Sequence, residues 1–165
     1  MFHPNSFRHS RVVLKKFHHP SPLPKYRGGS PIQNQIIAGN KKSKVSIFIM
    51  NSEIDSGDIV SQDNISLEGT LDSIFEQIEK VGGRRAGKII KNGLKAKPQN
   101  HNEATYFNRR NKVESEITLD EITDKNSEFL YNKIRMLADP YPNAYIKTKD
   151  GKRLVILSAR IEDKS

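Results

Sequence analysis

From His18 to Gln33 the chain reads "HHPSPLPKYRGGSPIQ", with prolines at 20, 22, 24 and 31. Each proline fixes its own φ, removes a backbone donor and biases the residue before it towards extended backbone. Neither a helix interior nor a central strand tolerates that spacing, so Pro20 to Pro24 must form a stiff loop. The loop stands directly behind His19, which therefore has little backbone freedom. From Ser30, "SPIQNQIIAG" predicts a helix, with Ser30 as cap, Pro31 in first position and Gly39 just past the end. "KVSIFIM" (Lys44–Met50) is a nearly continuous apolar, β-branched run, the pattern of a strand buried on both faces in an α/β sheet. "DIVSQDNIS" comes next as a more alternating strand.

Thr70 suits an N-cap, and Leu71, Ile74, Phe75, Ile78 and Val81 recur at helical spacing on one apolar face. Gly82-Gly83 is expected to interrupt that helix, with "RRAGKIIKNG" resuming it to Gly93. A boundary is placed near Pro98, where "LKAKPQNHNEATYFNRRN" turns polar. "NSEFLYNKIRMLADP" predicts a helix capped by Ser127 and stopped at Pro140. In the last stretch, Asp150-Gly151 between two alternating runs signals a β-hairpin.

Charge is unevenly placed. Residues 1–51 hold nine Lys/Arg and no acid, and the first acid is Glu53, so the rest balances at 28 − 9 = 19 basic against 19 acidic. Such a field attracts an anion such as a phosphate, a polyglutamylated cofactor or RNA. A solvated basic tail and a transit peptide over residues 1–16 are the alternative readings. The absence of cysteine excludes disulfides, thiolate metal sites and cysteine nucleophiles, and points to a reducing, cytoplasmic setting. No apolar run is long enough to span a bilayer, and no secretory h-region is visible.

Two apparent motifs carry little. The histidines at 3, 9, 18, 19 and 101 lack the spacing by which two imidazoles share one ion, so no metal is expected. "GGRRAGKI" mimics a Walker A loop from Gly82 to Lys88 but ends in Ile89, without the hydroxyl that holds magnesium. More promising is "NSEIDSGDIV", where Glu53, Asp55 and Asp58 cluster between two strands. Ligands of open α/β sheets bind outside the carboxyl ends of strands, and Ser56-Gly57 offers a tight turn there.

"HPSPLPKYRGGSPIQ", then a helix and a strand, then "IDSGDIV" resembles the folate-dependent formyltransferase family. His19-Pro20-Ser21, Leu23-Pro24, Arg27-Gly28, Pro31-Ile32 and Asp55-Ser56-Gly57-Asp58 carry the resemblance. "KPQNHNEATYFNRR" and "IRMLADPYPNAYI" extend it, in order, to roughly residues 18–161. Methionyl-tRNA formyltransferases and amino-sugar N-formyltransferases are the most similar branches. The resemblance implies attack of an amine on the formyl carbon of 10-formyltetrahydrofolate. His19 would shuttle a proton and stabilise the oxyanion, while Asp55 supports it. Ser21, Asp55, Ser56, Gly57 and Asp58 would meet the folate.

The family's oxyanion-binding asparagine, two residues before the histidine, is replaced here by Phe17. Family members also begin with an α/β half that has no counterpart among the first sixteen residues. The expected fold is thus α/β, a truncated Rossmann-like formyltransferase catalytic domain with a small C-terminal β-hairpin region. The expected division is an unmatched basic segment at 1–16, the C-terminal half of the catalytic domain at 17–98, and a linker with short C-terminal region at 99–165. The expected partners are the folate donor, an amine on tRNA or a nucleotide sugar, and a separate N-terminal half. The short C-terminal region favours the sugar. Activity of the single chain is expected to be weak or absent, and a non-catalytic remnant or binding module is the rival reading.

Overall fold

The computed structural model describes residues 16–92 and 95–163. His3, His9 and the expected basic segment up to residue 15 lie outside the described residues. In chain order the elements are β1 (Lys16–His19), β2 (Arg27–Gly28), α1 (Pro31–Ile37), β3 (Lys42–Ile49), β4 (Ile59–Ser66) and α2 (Leu71–Asn92). After them come β5 (Tyr106–Phe107), α3 (Leu119–Asp124), α4 (Ser127–Arg135), β6 (Ala144–Lys147) and β7 (Arg153–Ile156). Short 3₁₀ turns occupy His101–Glu103 and Lys112–Ser115.

β3 is the centre of a three-stranded sheet with order β1-β3-β4, antiparallel on both sides. That position explains its apolar run, since Val45, Ile47 and Phe48 are all buried. Val45 joins Ile65, Leu67, Leu71, Ile74 and Val81 in a core that also takes Ile32 and Ile36 of α1 and Ile134 next to Met136 and Leu137. Burying such side chains contributes about 2 kcal/mol each. Near the end of β3 the ladder slips: Ile47 faces Ser61 but Phe48 faces Ile59, leaving Val60 as an extra residue. Bulges of this kind bend a strand and redirect the adjoining chain, here the loop between β3 and β4.

The short pairs behave differently. β2 and β5 pair in parallel, Arg27 opposite Tyr106 and Gly28 opposite Phe107, so the polar stretch after Pro98 is tied to the motif loop. β6 and β7 form the expected hairpin, with Gly151 at φ 80 in the turn. Among the described residues no helix is long and apolar enough to cross a membrane.

Three local expectations are corrected. Ser30 does not cap α1 with its side chain; it sits at φ 51 and its hydroxyl accepts the Arg110 amide at 3.0 Å. α4 is capped by Asn126, whose Oδ1 accepts the Phe129 amide at 2.9 Å, rather than by Ser127. Most telling, α2 runs unbroken through Gly82-Gly83. Tertiary packing overrides glycine's poor helix propensity there, since Leu71, Ile74 and Val81 anchor the helix on the sheet. Gly82 has a reason: a Cβ on it would stand 2.8 Å from Cε1 of His18. The Walker-like stretch is therefore helical, and its amides are spent within the helix rather than on a phosphate.

Gly83 and Gly87 meet nothing within 4 Å, so each lowers helix stability without serving a contact. Gly83→Ala and Gly87→Ala are each expected to stabilise the chain by about 0.5–1 kcal/mol, read from urea midpoints. Gly82→Ala should gain clearly less, because the His18 ring has to move.

Candidate active site

His19 ends β1 beside the centre of β3 and is buried. Behind it the proline loop is pinned less by its prolines than by neighbouring side chains. The chain folds back on itself through Ser21 N–H to the His19 carbonyl at 2.9 Å and Leu23 N–H to the Ser21 carbonyl at 3.0 Å. Ser46 of β3 donates its hydroxyl to the Ser21 carbonyl at 2.6 Å and accepts the Leu23 amide at 3.3 Å. Gln62 of β4 donates to the Leu23 carbonyl at 2.9 Å, and Gln35 of α1 to the Pro20 carbonyl at 2.9 Å. A segment poor in backbone donors thus has its carbonyls caught by buried and half-buried polar side chains from three elements.

Ser21 is buried beneath the imidazole, and its hydroxyl proton goes to the Lys25 carbonyl at 2.8 Å. The 2.8 Å contact between the same oxygen and His19 Nδ1 then requires Nδ1–H as donor. That leaves Nε2 as the nitrogen whose proton can be exchanged. Nε2 stands 3.2 Å from Oδ2 of Asp55. The approach is out of line for a hydrogen bond, so Nε2 is a buried nitrogen with no hydrogen-bond partner among the described residues. Phe48 closes one side of the ring, edge-on at 6.5 Å between centroids.

Asp55 stands in the loop between β3 and β4, at φ 51 in the left-handed region. Aspartate tolerates that region better than most residues, yet it costs energy unless the surroundings hold it. The Gly28 amide donates to Oδ2 at 2.8 Å, and Gln99 Nε2 donates to the Asp55 carbonyl at 2.9 Å. Burial pushes the carboxyl up, but contact with His19, the Gly28 amide and the charge of Arg27 outweigh it, so it lies below the ordinary carboxylate value.

Of the other expected ligand contacts, Ser56 is buried and donates to Asn51 Oδ1 at 2.8 Å, bracing the loop internally. Gly57 is a matter of space, since a Cβ on it would overlap the Ile49 carbonyl oxygen. Asp58 is exposed, and its carbonyl accepts the Ile49 amide at 2.9 Å. Ser21 acts behind the histidine rather than outward. The Phe17 backbone pairs with Phe48 in β1, while its side chain lies outside the described residues. Two wide surface clefts, of about 500 Å³ beside α4 and 620 Å³ beside Tyr26 and Phe107, are not lined by His19 or Asp55.

The proline- and glycine-rich motif also hid site residues. Arg27 is fully buried, with Nε and Nη2 on Gln99 Oε1 at 3.2 and 2.7 Å and Nη1 on the Tyr106 hydroxyl at 2.6 Å. Gln99 bridges onward to the Asp55 and Gly57 carbonyls. An arginine inside a Pro/Gly-rich loop was the available signal; its distant partner was not readable from spacing.

A buried imidazole held in one tautomer beside a charged carboxylate is an arrangement that can take up and release a proton. Residues 17–90 match the formyl transferase family model, and this segment belongs to that family. The chain is 34% identical over 138 residues to the methionyl-tRNA formyltransferase of Finegoldia magna, covering 80% of this chain and 43% of the relative. It superposes on the methionyl-tRNA formyltransferase from Clostridium thermocellum with TM-score 0.73 and 34% identity, covering 86% of this chain and 66% of that one. The structure of WlaRD, a sugar 3N-formyl transferase in the presence of dTDP and 5-N-formyl-THF, matches with TM-score 0.63 and 26% identity, over 73% of this chain and 45% of that one. The fold is thus the α/β fold of formyltransferases, and the chain spans about half the length of the curated relatives it matches.

Because the Asp55 carboxyl is lowered, the stability it lends is fully present above the ordinary value of 3.8 and is lost as pH falls through the lower folded value. Asp55→Asn is expected to lower stability at neutral pH and to flatten part of its loss below about pH 4. Urea unfolding at a series of pH values reads this. A residual slope should remain from Asp63, which is also lowered, chiefly by its hydrogen bond with Arg85.

Proposed function

We propose that the chain serves N-formyl transfer from 10-formyltetrahydrofolate to a primary amine. The observation that supports this most is the buried His19 Nε2, left without a hydrogen-bond partner beside the Asp55 carboxylate. In the protonated ring that nitrogen would donate to a formyl oxygen, so the residues present fit the donor. When bound, the folate supplies an activated formyl group. Ser21 holds Nδ1 as a donor, Nε2 takes up or returns the proton exchanged during transfer, and Asp55 balances the charge this places on the imidazole. Methionyl-tRNA is the acceptor supported by the relatives at 34% identity, with a nucleotide-linked amino sugar as the alternative.

A second reading, association with a separate N-terminal half, draws on β1. Among the described residues it ends the sheet and pairs on one side only, leaving an edge to which a further strand can add. Both readings are tested by supplying 10-formyltetrahydrofolate with methionyl-tRNA or a dTDP-linked amino sugar. Each mixture is run with and without the N-terminal half of the Clostridium thermocellum enzyme. Formylated amine is expected in the supplemented mixture, and none in any mixture would leave a binding module as the surviving reading. His19→Ala should lower the rate by about 100–10,000-fold. Phe17→Asn, which adds an amide donor where the family carries one, should raise it on the order of 100-fold.

A further inference from the structure

We propose that Arg27 and Gln99 are a positioning pair that sets both the place and the charge state of the Asp55 carboxylate. The inference rests on the reading of Asp55 and His19 as the reacting pair. Arg27 is fully buried, and among the described residues it makes no ion pair. Its side-chain hydrogen-bond partners include no carboxylate: Gln99 Oε1, the Tyr106 hydroxyl and, at 3.4 Å, His101 Nδ1. The Tyr106 ring adds a cation–π contact at 5.4 Å. A buried guanidinium is costly unless it is hydrogen-bonded and faces a compensating charge.

Asp55 is where it acts. The next residue, Gly28, donates its amide to Oδ2 at 2.8 Å, so the same two-residue strand delivers the amide and the cation. Gln99 fixes the geometry from the other side. Its Oε1 takes two guanidinium donors, and its Nε2 donates to the Asp55 and Gly57 carbonyls at 2.9 and 2.7 Å. One amide thus ties the cation of one loop to the backbone of the carboxylate's own loop, over 44 residues of chain. It also holds Asp55 at its left-handed φ. The groups bearing on the carboxylate are His19 from β1 and Arg27 and the Gly28 amide from β2, while Glu53 and Asp58 are the other acids of its own loop. Only Arg27 brings a permanent positive charge.

The test is made on the isotopically labelled full chain by NMR, without catalysis, so it stands apart from any failure of formyl transfer. The Asp55 carboxyl resonance and the Gly28 amide are followed against pH. Arg27→Gln is expected to move the Asp55 midpoint upward, and Arg27→Lys, which keeps the charge but not the fork, to bring it back towards the original. Gln99→Met should speed Gly28 amide exchange on the order of tenfold while leaving the rest of the sheet protected. A merely structural arginine would leave the Asp55 midpoint where it is in Arg27→Gln. That result, or an unchanged Gly28 exchange rate in Gln99→Met, would overturn the proposal. If Arg27→Gln does not fold, Gln99→Met decides alone, because it removes no buried charge.

Discussion

The 2.8 Å hydrogen bond from the Gly28 amide to Oδ2 of Asp55 ties together everything else at the site. It joins the end of the proline loop directly to the loop after β3, a link that Gln99 reinforces through Arg27. Around it, His19 approaches the same oxygen from β1, and Gln99 anchors the Asp55 carbonyl from the stretch after α2. Asp55, through Oδ2 and its carbonyl, is thus the meeting point of three stretches of chain. Glycine at 28 suits this closeness, since at φ 90 a Cβ would overlap the Phe107 carbonyl.

Rigidity at His19 comes from polar satisfaction rather than from proline alone. Prolines 20, 22 and 24 remove backbone donors, which leaves carbonyls that would be costly to bury. Ser46, Gln62 and Gln35 supply the missing donors from the sheet and from α1. Ser21 spends its hydroxyl between the Lys25 carbonyl and Nδ1, so the same loop that is held in place also chooses the tautomer. Loop stiffness and the choice of tautomer are therefore one arrangement, and a change at Ser46 or Gln62 would reach the imidazole through the backbone.

The relation to formyltransferases is clearest where the site is clearest. The matched segment, residues 17–90, contains His19, Arg27, Gly28 and Asp55, while Gln99 and Tyr106 lie just beyond it. These two bring the polar stretch after Pro98 into the site by pairing β5 with β2 and by gripping Arg27. The polar side chains of that stretch thus serve contacts with Arg27 and with the backbone of the Asp55 loop.

By itself the sequence determined the stiff loop behind His19, the buried β3, the helix α1, the apolar face of α2, the β-hairpin, and His19 with Asp55 as the pair to watch. These are local properties: proline geometry, hydrophobic period, turn chemistry and an ordered set of short motifs. Tertiary structure alone decided that α2 continues through Gly82-Gly83, that Ser21 serves the histidine from behind, and that Arg27 reaches Gln99 across 72 residues. The reason is physical. A glycine's cost, a hydroxyl's direction and a buried cation's partner depend on which distant groups the fold brings within hydrogen-bonding reach, and no spacing along the chain encodes that distance.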